Sequence, residues 1–267
     1  MSMEWIIEKM NKWAPEATAE SFDNVGLLVG DPQATATKVL VALDATDAVI
    51  KEAIDGGFDC IITHHPLTYN PLKRVVATDP IGRKVLALAR HGISLYAAHT
   101  NLDKAPAGVN DRLAEILELP NTTPLQPDGP GSEIGLGIGA VGHFATEMTL
   151  GQVADHVKKA LGLTSLRYGG DVDKKIKKVA ICGGSGMGFA QYVKDAKADL
   201  YITGDIKYSD ALPFLEDGIA IIDITHYSGE NIIIAAIVKK LTALAAADGQ
   251  NITFAETSIN GQTFFTR

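Results

Sequence analysis

The sequence predicts an α/β fold built from parallel β-strands. Residues 38–44 and 60–63 are short runs rich in branched apolar side chains, which is typical of strands buried on both faces. A predicted helix follows each run, at 46–55 and 80–91, and each helix ends at glycine. Strands that alternate with helices of this length favour β-α-β units over hairpins.

The other predicted elements continue this alternation along the chain. Apolar residues at helical spacing predict a first helix over 4–13, and the turn-rich segment 21–31 leads to a short strand. Further predicted strands cover 93–98, 178–182 and 219–226, and further helices cover 108–119, 189–196 and 231–247. Segments 251–256 and 263–267 are strand-like and are expected to rejoin the first sheet. Residues 120–135 have the composition of a loop or linker, so we place a domain junction near them.

An internal repeat is a second indication of the architecture. The strand beginning at Lys38 and the strand beginning at Lys178 are 140 residues apart, as are DCIITHH at Asp59 and DLYITGD at Asp199. A third pair of segments, at Gly92 and Gly218, is offset by 126. This pattern indicates two related β-α-β-α-β units, although general α/β sequence preferences could also produce it.

Composition limits the classes of protein that fit. With 46% hydrophobic and 21% charged residues, the 267-residue chain is ordinary for a globular protein, and no apolar run is long enough to span a membrane. The first residues lack the pattern of a secretory signal, and Cys60 and Cys182 lie in apolar strand-like runs, which favours buried thiols over a disulfide. We therefore expect a cytoplasmic protein. The net charge of −8 disfavours a nucleic-acid partner.

Two adjacent histidines, His64 and His65, are the most informative residues of the chain. They follow the apolar strand 60–63, and Pro66 indicates that the strand ends there. At a strand end both imidazoles can turn into the crevice where open α/β sheets place their ligands. Since neutral imidazole is a common metal ligand, the pair indicates a metal site, whereas a lone buried histidine is usually part of the core.

Polar side chains gather at other predicted strand ends as well. HTNLD places His99 and Asp103 after the third strand, and Asp205 follows the strand that begins at Asp199. In the last unit a strand runs to His226, and Glu230 opens an apolar helix four residues later. That spacing brings Glu230 beside His226, although a glutamate also stabilises a helix N-terminus without any further role. If the repeat is real, one shared crevice should receive the polar groups at the strand ends of both units: His64, His65, Asp103, Asp205, His226 and Glu230.

Three of these strand ends, at His64 and His65, at Asp103, and at His226 and Glu230, together offer three imidazoles and two carboxylates. A single catalytic ion rarely uses five such ligands, because catalytic sites keep positions open for water. Two ions about 3.5 to 4 Å apart would use all five. Histidine with carboxylate favours zinc, iron or manganese over calcium.

Two glycine-rich segments suggest nucleotide binding in different ways. Gly137, Gly139 and Gly142 fit G-x-G-x-x-G, but the following residues look extended, and a dinucleotide fingerprint needs a helix there. The turn 183–188 lies between a strand and a helix, so its amides could cradle a phosphate, or it is simply a tight turn that requires glycine.

In combination, FDNVGLLVG, ITHHP, AAHTNLD and the H-x-x-x-E of residues 226–230 resemble the NIF-three-like dinuclear metal proteins, also labelled GTP cyclohydrolase 1 type 2 homologues. The resemblance covers nearly the whole chain and corresponds to the short form of the family. It implies two interleaved, similar α/β domains with mixed sheets. We assign them to residues 1–125 plus 223–267, which carry most metal ligands, and to residues 126–222.

The resemblance also implies a ligand set, an assembly and an activity. The implied metal ligands are His64, His65, Asp103, His226 and Glu230, with Glu230 bridging two divalent ions, and the implied assembly is a toroidal homohexamer. Its label implies opening of the GTP imidazole ring with release of formate. The same ligands would serve hydrolysis of nucleotides or phosphoesters, and a non-catalytic metal-binding scaffold or regulatory protein is a further alternative. His99 is either a group that orients a ligand or a structural residue, and no general acid is assigned.

Overall fold

The chain forms two compact units in a computed structural model that describes residues 2–129 and 136–265. The first unit comprises Met1–Leu102 and Ile233–Gly261, and the second comprises Asp103–Ile232 and Gln262–Arg267. The domain bounds predicted above, 1–125 plus 223–267 and 126–222, stay a prediction. Within the described residues, no helix combines the length and apolar character that a membrane crossing requires.

A five-stranded mixed sheet forms the centre of the first unit, in the order β1-β4-β3-β2-β11. Its strands are β1 (Gly26–Val29), β2 (Lys38–Ala42), β3 (Cys60–Thr63), β4 (Ser94–Ala97) and β11 (Thr253–Glu256). Its helical segments are α1 (Met3–Trp13), α2 (Asp47–Asp55), α3 (Pro80–Arg90), the first part of α4 (Thr100–Lys104) and nearly all of α10 (Ile232–Ala247). Only β1 runs antiparallel, against β4.

Residues of α2 and α3 pack on β2, β3 and β4 to form a core of the first unit. Val49 and Ile50 from α2 and Leu88 from α3 meet Leu40 and Ile61 of the sheet, and all five are at most 3% exposed. Thr46 caps α2, and Asp79 caps α3 by accepting from two backbone amides. The predicted alternation of strands and helices is therefore confirmed here.

Glu52 of α2 fastens the segment that follows β11. Its carboxylate accepts from the Thr257 hydroxyl and from the Ser258 amide at 2.8 Å. Burial raises the pKa of Glu52, but these hydrogen bonds lower it by more, so the pKa lies below its ordinary value. The ionised form is therefore the one that stabilises the fold.

We expect Glu52→Gln to lower the free energy of unfolding by about 1 kcal/mol at pH 7. Because the folded-state pKa is depressed, the stabilisation is complete above the unfolded pKa of about 4.3 and is lost as the pH falls below it. The gap between variant and parent should accordingly shrink below about pH 4. Urea unfolding with a chelator present measures the difference in unfolding free energy between variant and parent at each pH, and the exposed Glu256→Gln is the control. A difference that does not change with pH would contradict the role given to the ionised Glu52 carboxylate.

A six-stranded mixed sheet forms the second unit, in the order β5-β6-β8-β9-β10-β7. Its strands are β5 (Thr123–Pro127), β6 (Gly137–Thr149), β7 (Arg167–Gly169), β8 (Lys175–Ile181), β9 (Leu200–Thr203) and β10 (Ala220–Asp223). Its helices beyond α4 are α5 (Val109–Ile116), α6 (Leu150–Ala160), α7 (Ala190–Asp195), α8 (Tyr208–Glu216) and α9 (His226–Glu230). Strands β8, β9 and β10 are parallel to one another.

Both faces of this second sheet are covered by helices. Leu200 and Ile202 of β9 pack in a cluster with α5 and α6, whereas Tyr201 between them packs with Val193 of α7 and Phe214 of α8. Successive side chains of a strand point to opposite faces, so an apolar residue is needed at every position. This explains why the strands are continuous apolar runs.

Several predictions at the element level were wrong or incomplete. Residues 123–127 form a strand, not a loop, and the stretch 130–135 of the predicted linker lies outside the described residues. Residues 263–265 form no strand, and 266–267 are not described. The glycines of G-x-G-x-x-G lie within β6, in agreement with the rejection of a dinucleotide site.

The internal repeat is present in the pairing of the strands. Val39 pairs with Cys60 and Val179 pairs with Leu200, which reproduces the offset of 140 in both partners. Cys60 pairs with Ser94 and Leu200 with Ala220, which reproduces the offset of 126 in the third strand. The two units therefore contain the same β-α-β-α-β arrangement in the same register.

Candidate metal centre

Three imidazoles lie together at the carboxyl ends of β3 and β4 in the first unit. The ring centroids of His64 and His65 are 5.1 Å apart. The ring centroid of His99 lies 5.1 Å from that of His64 and 5.4 Å from that of His65. One nitrogen from each ring lies within 4.8 Å of the other two. The cluster is thus able to present several ligand atoms to an ion.

The backbone explains why adjacent histidines can lie side by side. His64 N and His65 N donate to the carbonyls of Ala42 and Leu43, and the Thr63 hydroxyl donates to the His65 carbonyl at 2.8 Å. The strand therefore ends at Thr63, and the strict alternation of side chains no longer applies beyond it. The prediction that both rings turn to the same place is confirmed within this unit.

Each of these rings is oriented through its Nδ1 atom. His64 Nδ1 donates to the Ala98 carbonyl at 2.8 Å, and His65 Nδ1 donates to Asp44 Oδ1 at 2.8 Å. His99 Nδ1 lies 3.0 Å from both carboxylate oxygens of Asp23. With the proton on Nδ1, the lone pair of a neutral ring is on Nε2. Metal-binding histidines are commonly held this way, by an acceptor on the nitrogen that does not bind the ion.

Asp23 does more than orient His99. Its carboxylate also accepts from the amide of Thr100 at 3.0 Å and from the Thr100 hydroxyl at 2.5 Å. Burial raises the pKa of Asp23, but the hydrogen bonds from His99 and Thr100 outweigh it and hold the pKa well below its usual range. The group is therefore an anion at neutral pH, and it fixes both His99 and the start of α4.

In the second unit, His226 and Glu230 form a pair across one turn of α9. His226 Nε2 lies 2.9 Å from Glu230 Oε2, and His226 Nδ1 lies 2.8 Å from Asp205 Oδ2. The predicted four-residue pairing is therefore confirmed, although His226 begins a short helix rather than ending a strand. Glu230 is only 4% exposed, and burial of a carboxylate at this level requires compensation by a positive charge or hydrogen bonds.

The glycine turn after β8 seats this pair. A Cβ on Gly184 would lie 2.0 Å from Glu230 Oε1 and 3.4 Å from His226 Nε2, and its φ of +65° is in the left-handed region. Glycine is required here because no side chain fits between the backbone and the carboxylate.

Two backbone amides of the same turn donate hydrogen bonds to side chains of the protein. Gly183 N donates to Asn110 Oδ1 at 3.0 Å, and Gly186 N donates to Thr203 Oγ1 at 2.9 Å. Neither amide is therefore available to cradle a phosphate. Of the two interpretations of residues 183–188, the tight turn is favoured.

Asp103 lies in α4, and Asn110 links it to the glycine turn. Asn110 Nδ2 donates to the Asp103 carbonyl at 3.1 Å, while Asn110 Oδ1 accepts from Gly183.

Burial, followed by the charges of Asp103 and Glu230, raises the pKa of the Cys182 thiol far above its usual range. The thiol is therefore protonated and is a poor metal ligand, and both cysteines are free and buried as predicted.

The histidines outside the candidate site have ordinary surroundings. His91 is exposed at the end of α3, where its Nδ1 donates to the Ala87 carbonyl, and His143 lies in β6. His156 is half-buried, because its ring packs edge-on against Phe144 and its Nε2 donates to the Leu117 carbonyl.

Sequence reasoning did not identify Asp23 and Asp44 as partners of the histidines. Asp44 ends the predicted strand 38–44, so the rule that polar residues gather at strand ends would have found it. Asp23 is 76 residues from His99, and nothing local signals that contact. The convergence of all five proposed ligands remains a prediction.

Comparison with known proteins places the chain in a family. The family described as Duf34/NIF3 (NGG1p interacting factor 3) matches residues 1–261. A protein of Clostridium perfringens named "GTP cyclohydrolase 1 type 2 homolog" is 39% identical over 256 residues, covering 96% of this chain and 97% of the relative.

Solved structures agree with the sequence match. A Bacillus cereus protein related to NIF3 superposes with a TM-score of 0.93 at 27% identity, covering 100% of this chain and 99% of the other. A Staphylococcus aureus protein superposes with a TM-score of 0.91 at 32% identity over the same shares of both chains. The family match over nearly the whole sequence, the curated relative and the shared fold all lead to the same assignment: this chain belongs to the Duf34/NIF3 family.

Proposed function

We propose that the protein is a metal-dependent hydrolase with a dinuclear centre held by His64, His65, Asp103, His226 and Glu230. The observation that carries the proposal is the orientation of the histidines. In His64, His65 and His226, Nδ1 is bound to a carbonyl or a carboxylate. This arrangement supports Nε2 as the ligand atom of each ring.

The donor chemistry fits the proposed ions. Imidazole nitrogen and carboxylate oxygen together suit zinc, iron or manganese, and two divalent ions per chain would use all five groups. The buried Glu230 carboxylate would help to hold the ions, since a bound cation would compensate the cost of its burial. Asp44 and Asp205 would keep the rings of His65 and His226 in place.

The expected reaction is hydrolysis. Bound divalent ions lower the pKa of coordinated water from about 15.7 toward 7 and so supply hydroxide at neutral pH. The name of the C. perfringens relative, "GTP cyclohydrolase 1 type 2 homolog", supports GTP as the substrate. Opening of the imidazole ring of GTP with release of formate is what the family resemblance implies. We further propose, on the family resemblance, that the protein works in the cytoplasm as a toroidal homohexamer.

Metal content per chain tests the proposal directly. Protein purified without chelator is measured by elemental analysis, beside His64→Ala and Glu230→Gln, with the exposed His91→Ala and Glu216→Gln as matched controls. About two ions per chain are expected in the parent and the controls, with loss in the two site variants. GTP turnover with formate detection is then compared across the same proteins.

Two results would overturn the hydrolase proposal. Substoichiometric metal that His64→Ala and Glu230→Gln leave unchanged would mean that these side chains are structural. Full metal occupancy with no turnover of GTP or of phosphoesters would favour the non-catalytic scaffold instead.

A further inference from the structure

Two large aromatic side chains of the first unit are exposed to solvent beside the imidazole cluster. Phe22 is 62% exposed and Tyr69 is 46% exposed, and their ring centroids are 6.4 Å apart with an angle of 50° between the planes. An aromatic side chain stabilises a protein most when it is buried, so two adjacent exposed rings are typical of a surface that contacts a ligand or another molecule.

This aromatic pair is continuous with the histidines. The Tyr69 ring centroid lies 5.8 Å from that of His99, and His99 in turn lies 5.1 Å from His64. A ligand that reached ions held by His64 or His65 would therefore have Tyr69 and Phe22 beside it.

The loops that carry the pair are fixed by side-chain hydrogen bonds. Asn24 Nδ2 donates to the Thr68 carbonyl at 2.7 Å, and the Thr68 hydroxyl donates to the Asn70 carbonyl at 2.9 Å. Asp23, between Phe22 and Asn24, holds His99. The tripeptide Phe22–Asn24 thus joins the Tyr69 loop to the imidazole cluster, and such ordering lowers the entropic cost of binding.

We propose that Phe22 and Tyr69 form a stacking platform for the planar heteroaromatic ring of the substrate, a purine base in the case of a nucleotide. This rests on the proposed function and deepens it by assigning recognition of the ring to two residues. A π face stacks on a base whatever its hydrogen-bonding pattern, whereas a phosphoester without an aromatic ring gains nothing from it. The platform therefore favours a nucleotide over a general phosphoester as the substrate.

Binding of matched ligands tests the platform apart from the metal. Calorimetry on the purified protein compares GTP with inorganic triphosphate for the parent, Phe22→Leu, Tyr69→Leu and Tyr69→Phe. Leucine keeps apolar bulk but removes the ring, and Phe restores the ring without the hydroxyl. The 82% exposed Tyr208, in α8 of the second unit, provides the control variant Tyr208→Leu.

We expect each leucine variant of the platform to weaken GTP binding by about 10-fold, within the usual range for loss of one base-stacking contact. Triphosphate binding, metal content and unfolding temperature should stay at parental values, and Tyr69→Phe and Tyr208→Leu should bind GTP like the parent. The ratio of the GTP and triphosphate affinities reports the platform, while elemental analysis reports the metal proposal, so either can fail alone.

Any of three binding results would overturn the platform, as would a fourth result that combines binding with metal content. The three binding results are equal loss of GTP and triphosphate affinity, unchanged GTP affinity in both leucine variants, and no binding of GTP by the parent protein. A folded Tyr69→Leu protein that loses metal and GTP together would also overturn it, since Tyr69 would then act only by packing against His99.

Discussion

A Gly184→Ala protein is expected to be less stable than the parent and to bind metal about 10- to 100-fold more weakly, the usual loss when a group that positions a ligand is disturbed. The new Cβ would lie 2.0 Å from Glu230 Oε1, a distance that real contacts do not reach, so the carboxylate or the turn must move. Alanine in the left-handed region adds a cost of about 1 to 2 kcal/mol. Displacing Glu230, a proposed ligand, should lower the metal affinity more than a substitution outside the proposed ligand set.

Gly188→Ala in the same turn is the matched control. A Cβ on Gly188 would meet nothing within 4 Å, and its backbone is not in the left-handed region. Elemental analysis and thermal unfolding of both variants separate the two expectations. Parental metal content in Gly184→Ala would show that Glu230 is not held by this turn or is not a ligand.

The fold was predictable where the signal is periodic or local. Branched apolar runs identified β2 and β3, the internal repeat identified β9, and glycine marked the ends of α2 and α3. The helices α4 and α9 were missed because five residues are too few to show helical periodicity. Strand β5 was missed because its sequence, TPLQP, contains two prolines, which are tolerated only at the edge of a sheet.

The candidate site was predictable to the extent that its residues are close in sequence. Adjacent His64 and His65 and the four-residue spacing of His226 and Glu230 were visible because local geometry brings each pair together. The packing of His99 against His64 and His65 and its hydrogen bonds to Asp23 join residues that are 34 or more positions apart, which sequence spacing does not encode. The contact between Asp23 and His99 was therefore not predictable, whereas Asp44 and Asp205 lie at strand ends that the sequence marks.

The repeat extends to individual side chains and suggests an equivalent pair of variants. Asp59 accepts from the amides of Thr37 and Lys38, and Asp199 accepts from the amides of Lys177 and Lys178, again 140 residues on. Each carboxylate stands directly before one strand, β3 or β9, and thus holds the neighbouring parallel strand, at the start of β2 or within β8. Such a link has no role in metal binding, so its recurrence reflects how each unit folds.

Asp59→Ala and Asp199→Ala are each expected to lower the free energy of unfolding by about 2 to 4 kcal/mol, because two backbone donors lose a charged acceptor. Hydrogen exchange should localise the effect to amides of β2 and β3 in the first variant and of β8 and β9 in the second. The exposed Asp55→Ala and Asp195→Ala, themselves 140 residues apart, are the controls and should cost less than about 0.5 kcal/mol. If only one variant of the equivalent pair is destabilised, the two carboxylates are not equivalent and the repeat is one of topology alone.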